Sequence, residues 1–195
     1  MKFLIIVDMQ NDFLDGALGN GHCRAAIPEV VKLIEDGRKD WHAIFLTRDT
    51  HFDNYENTLE GRKLPVPHCK YHTHGWNVND DIRKALEVTG IYVNKPTFGS
   101  FELLTAIEDI ITETLDRFTP QDNPMRDRIG MGLDTLEFHV CGVCTSICVL
   151  ANVVLLRAKY PDAKIVVHQK ACGDVTKEMH DAALICFKSQ QCEVE

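Results

Sequence analysis

The chain opens on the stretch Phe3-Leu4-Ile5-Ile6-Val7, five apolar residues in a row, and this run ends abruptly at the carboxylate of Asp8. An unbroken apolar run, in contrast to an alternating one, is typical of a strand buried on both faces of a parallel sheet. Four further runs of this kind follow, at Ala43–Thr47, Ile91–Asn94, Leu136–Cys141 and Lys164–Val167. The sequence therefore predicts five buried parallel strands.

Segments with the helical spacing of apolar residues lie between and after these runs. They are Ala25–Arg38, Asn79–Val88, Phe101–Asp116, Thr145–Lys159 and Thr176–Phe187. Regular alternation of strand and helix indicates an α/β fold, a three-layer doubly wound and mainly parallel sheet with helices on both faces. A length of 195 residues fits a single domain that spans residues 1–195.

The composition excludes several classes of protein. A net charge of -8, from 21 Lys and Arg against 29 Asp and Glu, lacks the basic surface of a nucleic-acid binder. The first apolar run is too short for a secretory signal or a membrane span. The eight cysteines lie mostly in apolar segments, so we interpret them as reduced thiols in a cytoplasmic protein without a membrane partner.

Two stretches do not follow the alternation of strands and helices. Residues 52–76 form a long connection with prolines at 65 and 67, and long loops in compact domains are often functional. Residues 119–133, which contain Pro120, Pro124 and two glycines, are interpreted as an inserted loop.

Polar residues follow four of the apolar runs, where the strands of the predicted sheet end. Asp8 follows the first run, Asp49 and His51 the second, Lys95 the third and Cys148 the fourth. Ligands of such sheets bind beyond the carboxyl ends of the strands, so these side chains are expected to converge. The alternative is that they are ordinary solvated loop residues.

Cys148 stands where the fourth strand turns into a helix, with Thr145 and Ser146 available as N-caps. The helix dipole at that position, together with a nearby lysine, is expected to lower the thiol pKa. Asp8 can accept the thiol proton and Lys95 can hold the pair ionised, which makes a candidate nucleophilic triad. The alternative is that Cys148 is a small buried hydrophobic residue.

A candidate metal site lies after the second strand. Asp49 and His51 are two residues apart, so in an extended segment their side chains project to the same side. With Glu60 and His68 in the long loop they form a set of two carboxylates and two imidazoles that suits Zn²⁺ or a similar divalent cation. These polar residues can also be simply solvated, and Cys141 and Cys144 form a CxxC without the second pair that a closed zinc site needs.

The sequence resembles the isochorismatase-like cysteine hydrolases, and within them the nicotinamidase/pyrazinamidase group. Six segments in the family's order carry the resemblance over nearly the whole chain. They are Asp8-Met9-Gln10-Asn11-Asp12-Phe13, Thr47-Arg48-Asp49-Thr50-His51, Pro67-His68-Cys69, Lys95 with Phe98-Gly99-Ser100-Phe101, Gly142-Val143-Cys144-Thr145-Ser146-Ile147-Cys148-Val149, and His180-Asp181-Ala182-Ala183-Leu184. Each segment alone is weakly specific, whereas the ordered set is specific.

The resemblance implies a reaction in which the Cys148 thiolate attacks an amide carbonyl, ammonia leaves, and water hydrolyses the thioester. It implies that Asp8 moves the proton, that Lys95 stabilises the ionised pair, and that a cis peptide joins Val143 to Cys144. The backbone N–H groups of Cys144 and Cys148 then serve as the oxyanion hole.

The resemblance also implies one divalent ion, with Zn²⁺ expected and Fe²⁺ or Mn²⁺ as alternatives. The resemblance gives Asp49, His51 and His68 as expected ligands, and we infer Glu60 as the fourth because it stands in the region that holds a third histidine in many members. Phe98 replaces the usual tyrosine, and the expected apolar walls of the substrate pocket are Phe13 and Phe98, with Trp76 as a further candidate.

Three functions compete on this sequence. The first is a metal-assisted amidase that converts nicotinamide to nicotinate, with a small-molecule amide as substrate and a homo-oligomeric assembly. The second is a metal-free relative that hydrolyses a ureido or carbamoyl amine, against which Asp49, His51 and His68 argue. The third is a binding protein that kept the fold without activity, against which the joint presence of Asp8, Lys95 and Cys148 argues.

Overall fold

The computed structural model describes residues 1–87, 89–118 and 136–195, and in this part of the chain six strands form one parallel sheet. The strands are β1 (Lys2–Val7), β2 (Ala43–Asp49), β3 (Gly90–Lys95), β4 (Glu137–Val143), β5 (Lys164–Gly173) and β6 (Glu193–Val194). Their order in the sheet is β3-β2-β1-β4-β5-β6. The prediction of a doubly wound α/β fold is confirmed.

Helices cover both faces of the sheet. In chain order they are α1 (Asn11–Leu14), α2 (Gly21–Ala25), α3 (Ile27–Asp36), α4 (Leu59–Lys63), α5 (Asp80–Leu86), α6 (Phe101–Phe118), α7 (Leu150–Lys159) and α8 (Lys177–Ser189). A 3-10 turn at Tyr55–Asn57 and a π-helical turn at Thr145–Val149 complete the described elements. Among the described residues, no helix has the combined length and hydrophobicity of a membrane-spanning segment.

The strand order reverses between β1 and β4, which pair in parallel at the centre of the sheet. Chain connections leave β1 towards one edge and β4 towards the other, so a crevice opens where the carboxyl ends of these two strands meet. Asp8 follows β1 and the π-helical turn follows β4. The fold therefore places the predicted acid and the predicted thiol on either side of this crevice.

Several predicted boundaries differ from the structure for local reasons. The predicted helix Ala25–Arg38 is observed as α3, Ile27–Asp36, with Pro28 in its first turn, where proline is favoured, and the preceding α2, Gly21–Ala25, was not predicted. Strand β5 continues six residues beyond its apolar run, through His168 to Gly173. The predicted connection 52–76 contains the 3-10 turn and α4, and the predicted inserted loop 119–133 lies outside the described residues.

Gly142 ends the straight part of β4 with a φ of 118°, a conformation that side chains with a Cβ rarely adopt. An added Cβ would also collide with the backbone of Val7 on the neighbouring strand. Glycine is therefore required at the position where the chain leaves β4 for the turn that carries Cys148.

Two histidines on the neighbouring strands β4 and β5 face each other, away from the crevice at the strand ends. His139 Nδ1 is 2.7 Å from His168 Nε2, and Glu137 Oε1 accepts a hydrogen bond from His139 Nε2 at 2.9 Å. Glu195 Oε2 is 4.0 Å from the other nitrogen of His168. Burial, followed by the nearby His139, lowers the pKa of His168 to about 4, so at neutral pH this ring is uncharged.

Candidate active site

Asp8, Lys95 and Cys148 come from the carboxyl ends of β1, β3 and β4 and meet in the crevice. Lys95 Nζ lies 2.6 Å from Asp8 Oδ2 and donates a hydrogen bond to Cys148 Sγ at 3.5 Å. The Asp8 and Lys95 side chains are fully buried, and Cys148 is 5% exposed. The structure thus brings the three predicted triad members together within contact distance.

Both carboxylate oxygens of Asp8 have a partner. Thr47 Oγ1 donates to Asp8 Oδ1 at 2.7 Å, whereas the buried Oδ2 pairs with the Lys95 ammonium, which also contacts Cys148 Sγ. Asp8 also has a φ of 49°, a left-handed conformation that is unusual outside glycine and tends to occur at functional sites. Asp8 Oδ2 can therefore receive a proton.

Burial controls the protonation of the triad. It raises the pKa of Asp8, which Lys95 partly offsets, and it raises the pKa of the Cys148 thiol well above its ordinary value, against the lowering effect of Lys95. The pKa of Lys95 is raised overall because its carboxylate and thiol neighbours outweigh its burial. The prediction of a lowered Cys148 pKa is wrong, since desolvation of the thiolate dominates over the lysine beside it.

The nucleophile turn, residues 144–149, is held by a carboxylate that the sequence analysis missed. Asp174 Oδ2 accepts a hydrogen bond from the Ser146 N–H at 2.7 Å, and its Oδ1 accepts one from the Val175 N–H at 2.8 Å. The predicted caps Thr145 and Ser146 do not cap the turn. Thr145 Oγ1 instead donates to the Gly173 carbonyl and contacts His180 Nδ1, both at 2.9 Å, so the turn is tied to the end of β5.

The peptide bond between Val143 and Cys144 is cis in the structure. The turn is further connected to the loop after β3 through Asn152, whose Nδ2 donates to the carbonyls of Cys148 at 2.8 Å and Phe98 at 3.1 Å. Cys144, which follows the cis bond, is 8% exposed.

The predicted metal ligands Asp49, His51, Glu60 and His68 also converge, and one ligand atom of each lies within 4.8 Å of the others. Asp49 Oδ2 is 2.8 Å from His51 Nε2 and 3.3 Å from His68 Nε2. Glu60 Oε1, brought in by α4, is 3.7 Å and 3.6 Å from the same two nitrogens. Strand β2 and the long loop therefore meet around one point.

The donor atoms of this cluster fit a divalent cation. Since the Val66 carbonyl can only accept, the 2.9 Å contact with His68 Nδ1 assigns the proton of the neutral ring to Nδ1 and leaves the lone pair of Nε2 facing the cluster. His51 Nε2 is buried with no hydrogen-bond partner among the described residues. Two imidazole nitrogens and two carboxylate oxygens without a thiolate are ligands for Zn²⁺, Fe²⁺ or Mn²⁺.

Asp49 connects the cluster to the triad, because its second oxygen, Oδ1, is 3.8 Å from Lys95 Nζ. Its backbone is fixed by Gln10, whose Oε1 accepts from the Asp49 N–H at 2.7 Å and whose Nε2 donates to the Asp49 carbonyl at 2.9 Å. Asp12 Oδ2 similarly accepts from the Cys69 N–H at 2.7 Å beside His68. Gln10 and Asp12 both lie in the segment after β1 that carries the family resemblance, and that pattern is the signal from which their roles could have been read.

The expected apolar walls occupy different environments. Phe13 is 6% exposed and its ring contacts His68 at a centroid distance of 5.4 Å, whereas Phe98 is 47% exposed. Trp76 is buried and its Nε1 donates to Thr50 Oγ1 at 2.9 Å. Phe13 is thus placed beside the cluster, and Phe98 lies at the surface of the loop that Asn152 holds.

The sequence matches the isochorismatase domain family over residues 2–194. It is 30% identical to a nicotinamidase from Saccharomyces cerevisiae over 115 residues, an alignment that covers 58% of this chain and 53% of the yeast enzyme. The chain thus spans about half the length of that relative.

Two solved structures are similar over nearly their full length. A nicotinamidase/pyrazinamidase from Bacillus subtilis superposes with a TM-score of 0.76 at 25% identity, covering 99% of this chain and 98% of that one. A pyrazinamidase from Pyrococcus horikoshii, solved in complex with zinc, gives a TM-score of 0.70 at 25% identity, covering 100% and 98%.

Proposed function

The chain belongs to the isochorismatase domain family, and we propose that within it the protein is a cysteine-dependent amidohydrolase that converts nicotinamide to nicotinate and ammonia. The observation that carries the proposal is the carboxylate of Asp49, which contacts both histidines of the cluster and lies 3.8 Å from Lys95 of the triad. Because Asp49 contacts both the triad and the metal cluster, the two sites are close together. This arrangement suits a small aromatic amide that reaches both of them.

The triad supplies the covalent chemistry in this proposal. Asp8 takes the thiol proton as Cys148 Sγ attacks the amide carbon, and Lys95, in contact with both groups, compensates the negative charge. Burial raises the pKa of Asp8, which suits a group that must first accept this proton and then give it to the leaving ammonia. Asp8 then accepts a proton from the water that hydrolyses the thioester.

The backbone N–H groups of Cys144 and Cys148 are proposed to stabilise the oxyanion, a contribution of roughly 3 kcal/mol for each donor. Asp174 occupies the Ser146 N–H of the same turn, so that group is not the one offered to the substrate. Phe13 and Phe98 are the proposed walls for the aromatic ring, and Phe13 also packs against His68.

Asp49, His51, Glu60 and His68 are the proposed ligands of one Zn²⁺, with Fe²⁺ or Mn²⁺ as alternatives. When bound, the ion would orient an aromatic amide through its ring nitrogen. The zinc complex of the Pyrococcus relative and the donor set of this chain support the proposal.

The remaining sequence predictions stay proposals. They are a single domain over residues 1–195, a homo-oligomer, a cytoplasmic location, and action on a small molecule without a nucleic-acid or membrane partner.

The test is an ammonia-release assay with nicotinamide, pyrazinamide and a carbamoyl amine, run on metal-loaded and chelator-treated protein with Cys148→Ala as the inactive control. We expect turnover of the two aromatic amides, loss of it in Cys148→Ala, and little reaction with the carbamoyl amine. Turnover of only the carbamoyl amine, independent of metal, would replace the proposal with the ureido hydrolase.

A further inference from the structure

Tyr55 is a buried aromatic residue, 2% exposed, in the 3-10 turn that precedes α4. Its ring contacts both imidazoles of the metal cluster, with centroid distances of 4.6 Å to His51 and 5.3 Å to His68. Both contacts are edge-to-face, with interplanar angles of 61° and 81°, the arrangement that aromatic rings prefer. One ring thus packs against two proposed ligands at once.

Tyr55 also holds both ends of α4, the helix that carries Glu60. At the start of α4, the Tyr55 carbonyl accepts hydrogen bonds from the N–H and Oγ1 of Thr58, at 2.9 Å and 2.7 Å. At its end, Tyr55 Oη donates to the carbonyl of Leu64 at 2.8 Å. Helix α4 has only five residues, and helices this short are not stable alone in water, so it depends on contacts of this kind.

The backbone of α4 lies directly on Tyr55. A Cβ at Gly61 would meet the Tyr55 carbonyl oxygen at 2.1 Å, so the residue after Glu60 must be glycine for the two segments to come this close. The Gly61 N–H also donates to Thr58 Oγ1 at 2.9 Å. The position of the Glu60 carboxylate, 3.7 Å and 3.6 Å from the two imidazole nitrogens, is therefore set through Tyr55.

Tyr55 is not itself a ligand of the cluster. Its hydroxyl donates its proton to the Leu64 carbonyl. Burial, followed by the carboxylates of Glu60 and Asp49, raises the pKa of Tyr55 to about 12, so the phenol keeps that proton at neutral pH. A neutral hydroxyl engaged in this way supports α4 and does not add a charge to the cluster.

We infer that Tyr55 is a positioning residue for the metal site. Its ring orients His51 and His68, and its hydroxyl holds α4 so that Glu60 completes the ligand set. Groups that orient metal ligands contribute to metal affinity without touching the ion. The inference rests on the proposed metal site, and it assigns two roles to separate parts of one side chain.

The experiment titrates Co²⁺ into chelator-treated full-length protein and follows the visible absorption of the bound ion, which reports its ligands. Tyr55→Phe keeps the ring and removes only the hydroxyl. We expect it to weaken Co²⁺ binding by about 10- to 100-fold and to shift the spectrum towards that of Glu60→Ala. Added to Glu60→Ala, the same change should weaken binding by less than about twofold further, because the carboxylate that the hydroxyl positions is already absent.

Tyr55→Leu separates the role of the ring from that of the hydroxyl. It should weaken Co²⁺ binding in the Glu60→Ala background as well, because the two imidazoles lose the ring against which they pack. Circular dichroism spectra of all variants show whether the fold is kept, and Tyr55→Phe carries the test if Tyr55→Leu does not fold.

Tyr160→Phe is the matched control. Tyr160 is also buried, at 4% exposed, and packs against Phe138 near the amino end of β4, away from the crevice. Its hydroxyl has no hydrogen-bond partner among the described residues, so this variant should bind Co²⁺ as the wild type does.

Two results would overturn the inference while the proposed function stands. One is a Tyr55→Phe protein with wild-type affinity and spectrum, and the other is an equal loss of affinity with and without Glu60. Wild-type protein that binds no Co²⁺ would refute the metal site together with the role of Tyr55. If the affinities follow the expected pattern but nicotinamide is not hydrolysed, the role of Tyr55 is upheld and only the proposed function falls.

Discussion

Replacing His168 by glutamine should make the protein less sensitive to acid. Burial holds the pKa of His168 at about 4 in the folded protein, against 6.5 for an ordinary histidine. Between these values the unfolded chain binds a proton that the folded chain refuses, so wild-type stability falls as the pH falls. The difference between the two pKa values corresponds to about 3 kcal/mol in the free energy of unfolding, of which about 2 kcal/mol is lost between pH 7.5 and pH 5.

The side chain of His168 is only 15% exposed, so solvent screening leaves most of this effect in place. The facing groups are His139, Glu137, Glu195 and Lys2, and all of them remain in the variant. The measurement is urea unfolding of both proteins at pH 7.5 and pH 5, with the exposed His22→Gln as control. The reasoning fails if His168→Gln loses as much stability between the two pH values as wild type and His22→Gln do.

Three further predictions concern the site. Cys148→Ala should reduce turnover at least about a thousandfold with an unchanged circular dichroism spectrum. The control variant Cys172→Ala should stay active, and an active Cys148→Ala protein would mean that the nucleophile is misassigned. Asp174→Ala leaves two backbone N–H groups without their acceptor and should lower kcat and cost about 2 kcal/mol of stability, with partial rescue in Asp174→Asn; unchanged kcat and melting temperature would count against its positioning role. Glu60→Ala should lower the metal content found by elemental analysis, and chelation should weaken binding of a pyridine amide more than of a benzene amide; equal weakening would argue against the ring-nitrogen contact.

The ends of these strands were predictable because a strand that is buried on both faces consists of an unbroken run of apolar residues. The apolar runs before Asp8, Lys95 and Cys148 locate the ends of β1, β3 and β4, and in a parallel sheet those ends meet. The spacing of Asp49 and His51 was informative for a similar reason, since both stand in extended chain.

Contacts between distant segments could not be predicted in this way. Asp174 holds the nucleophile turn through a hydrogen bond to Ser146, and no local pattern distinguishes it from a solvated carboxylate. The direction of the Cys148 pKa shift also depends on burial, which a helix-start position does not reveal. The short helix α4, which presents Glu60, begins with Thr58 as its N-cap. This helix-start signal is present in the sequence, but the helix is too short to be recognised from its pattern.

The metal cluster and the triad differ in how their residues are distributed along the sequence. All four cluster residues lie between positions 49 and 68, whereas the triad is assembled from residues 8, 95 and 148. Under the proposed function, a change confined to the segment after β2 can therefore alter the preference for the bound ion or the recognition of the aromatic ring, while Cys148 and Asp8 stay unchanged. For protein engineering, residues 52–68 form a segment that can be exchanged as a unit. The exchange replaces Glu60 and His68 but keeps Asp49, so any new segment must be compatible with the contact between Asp49 and Lys95.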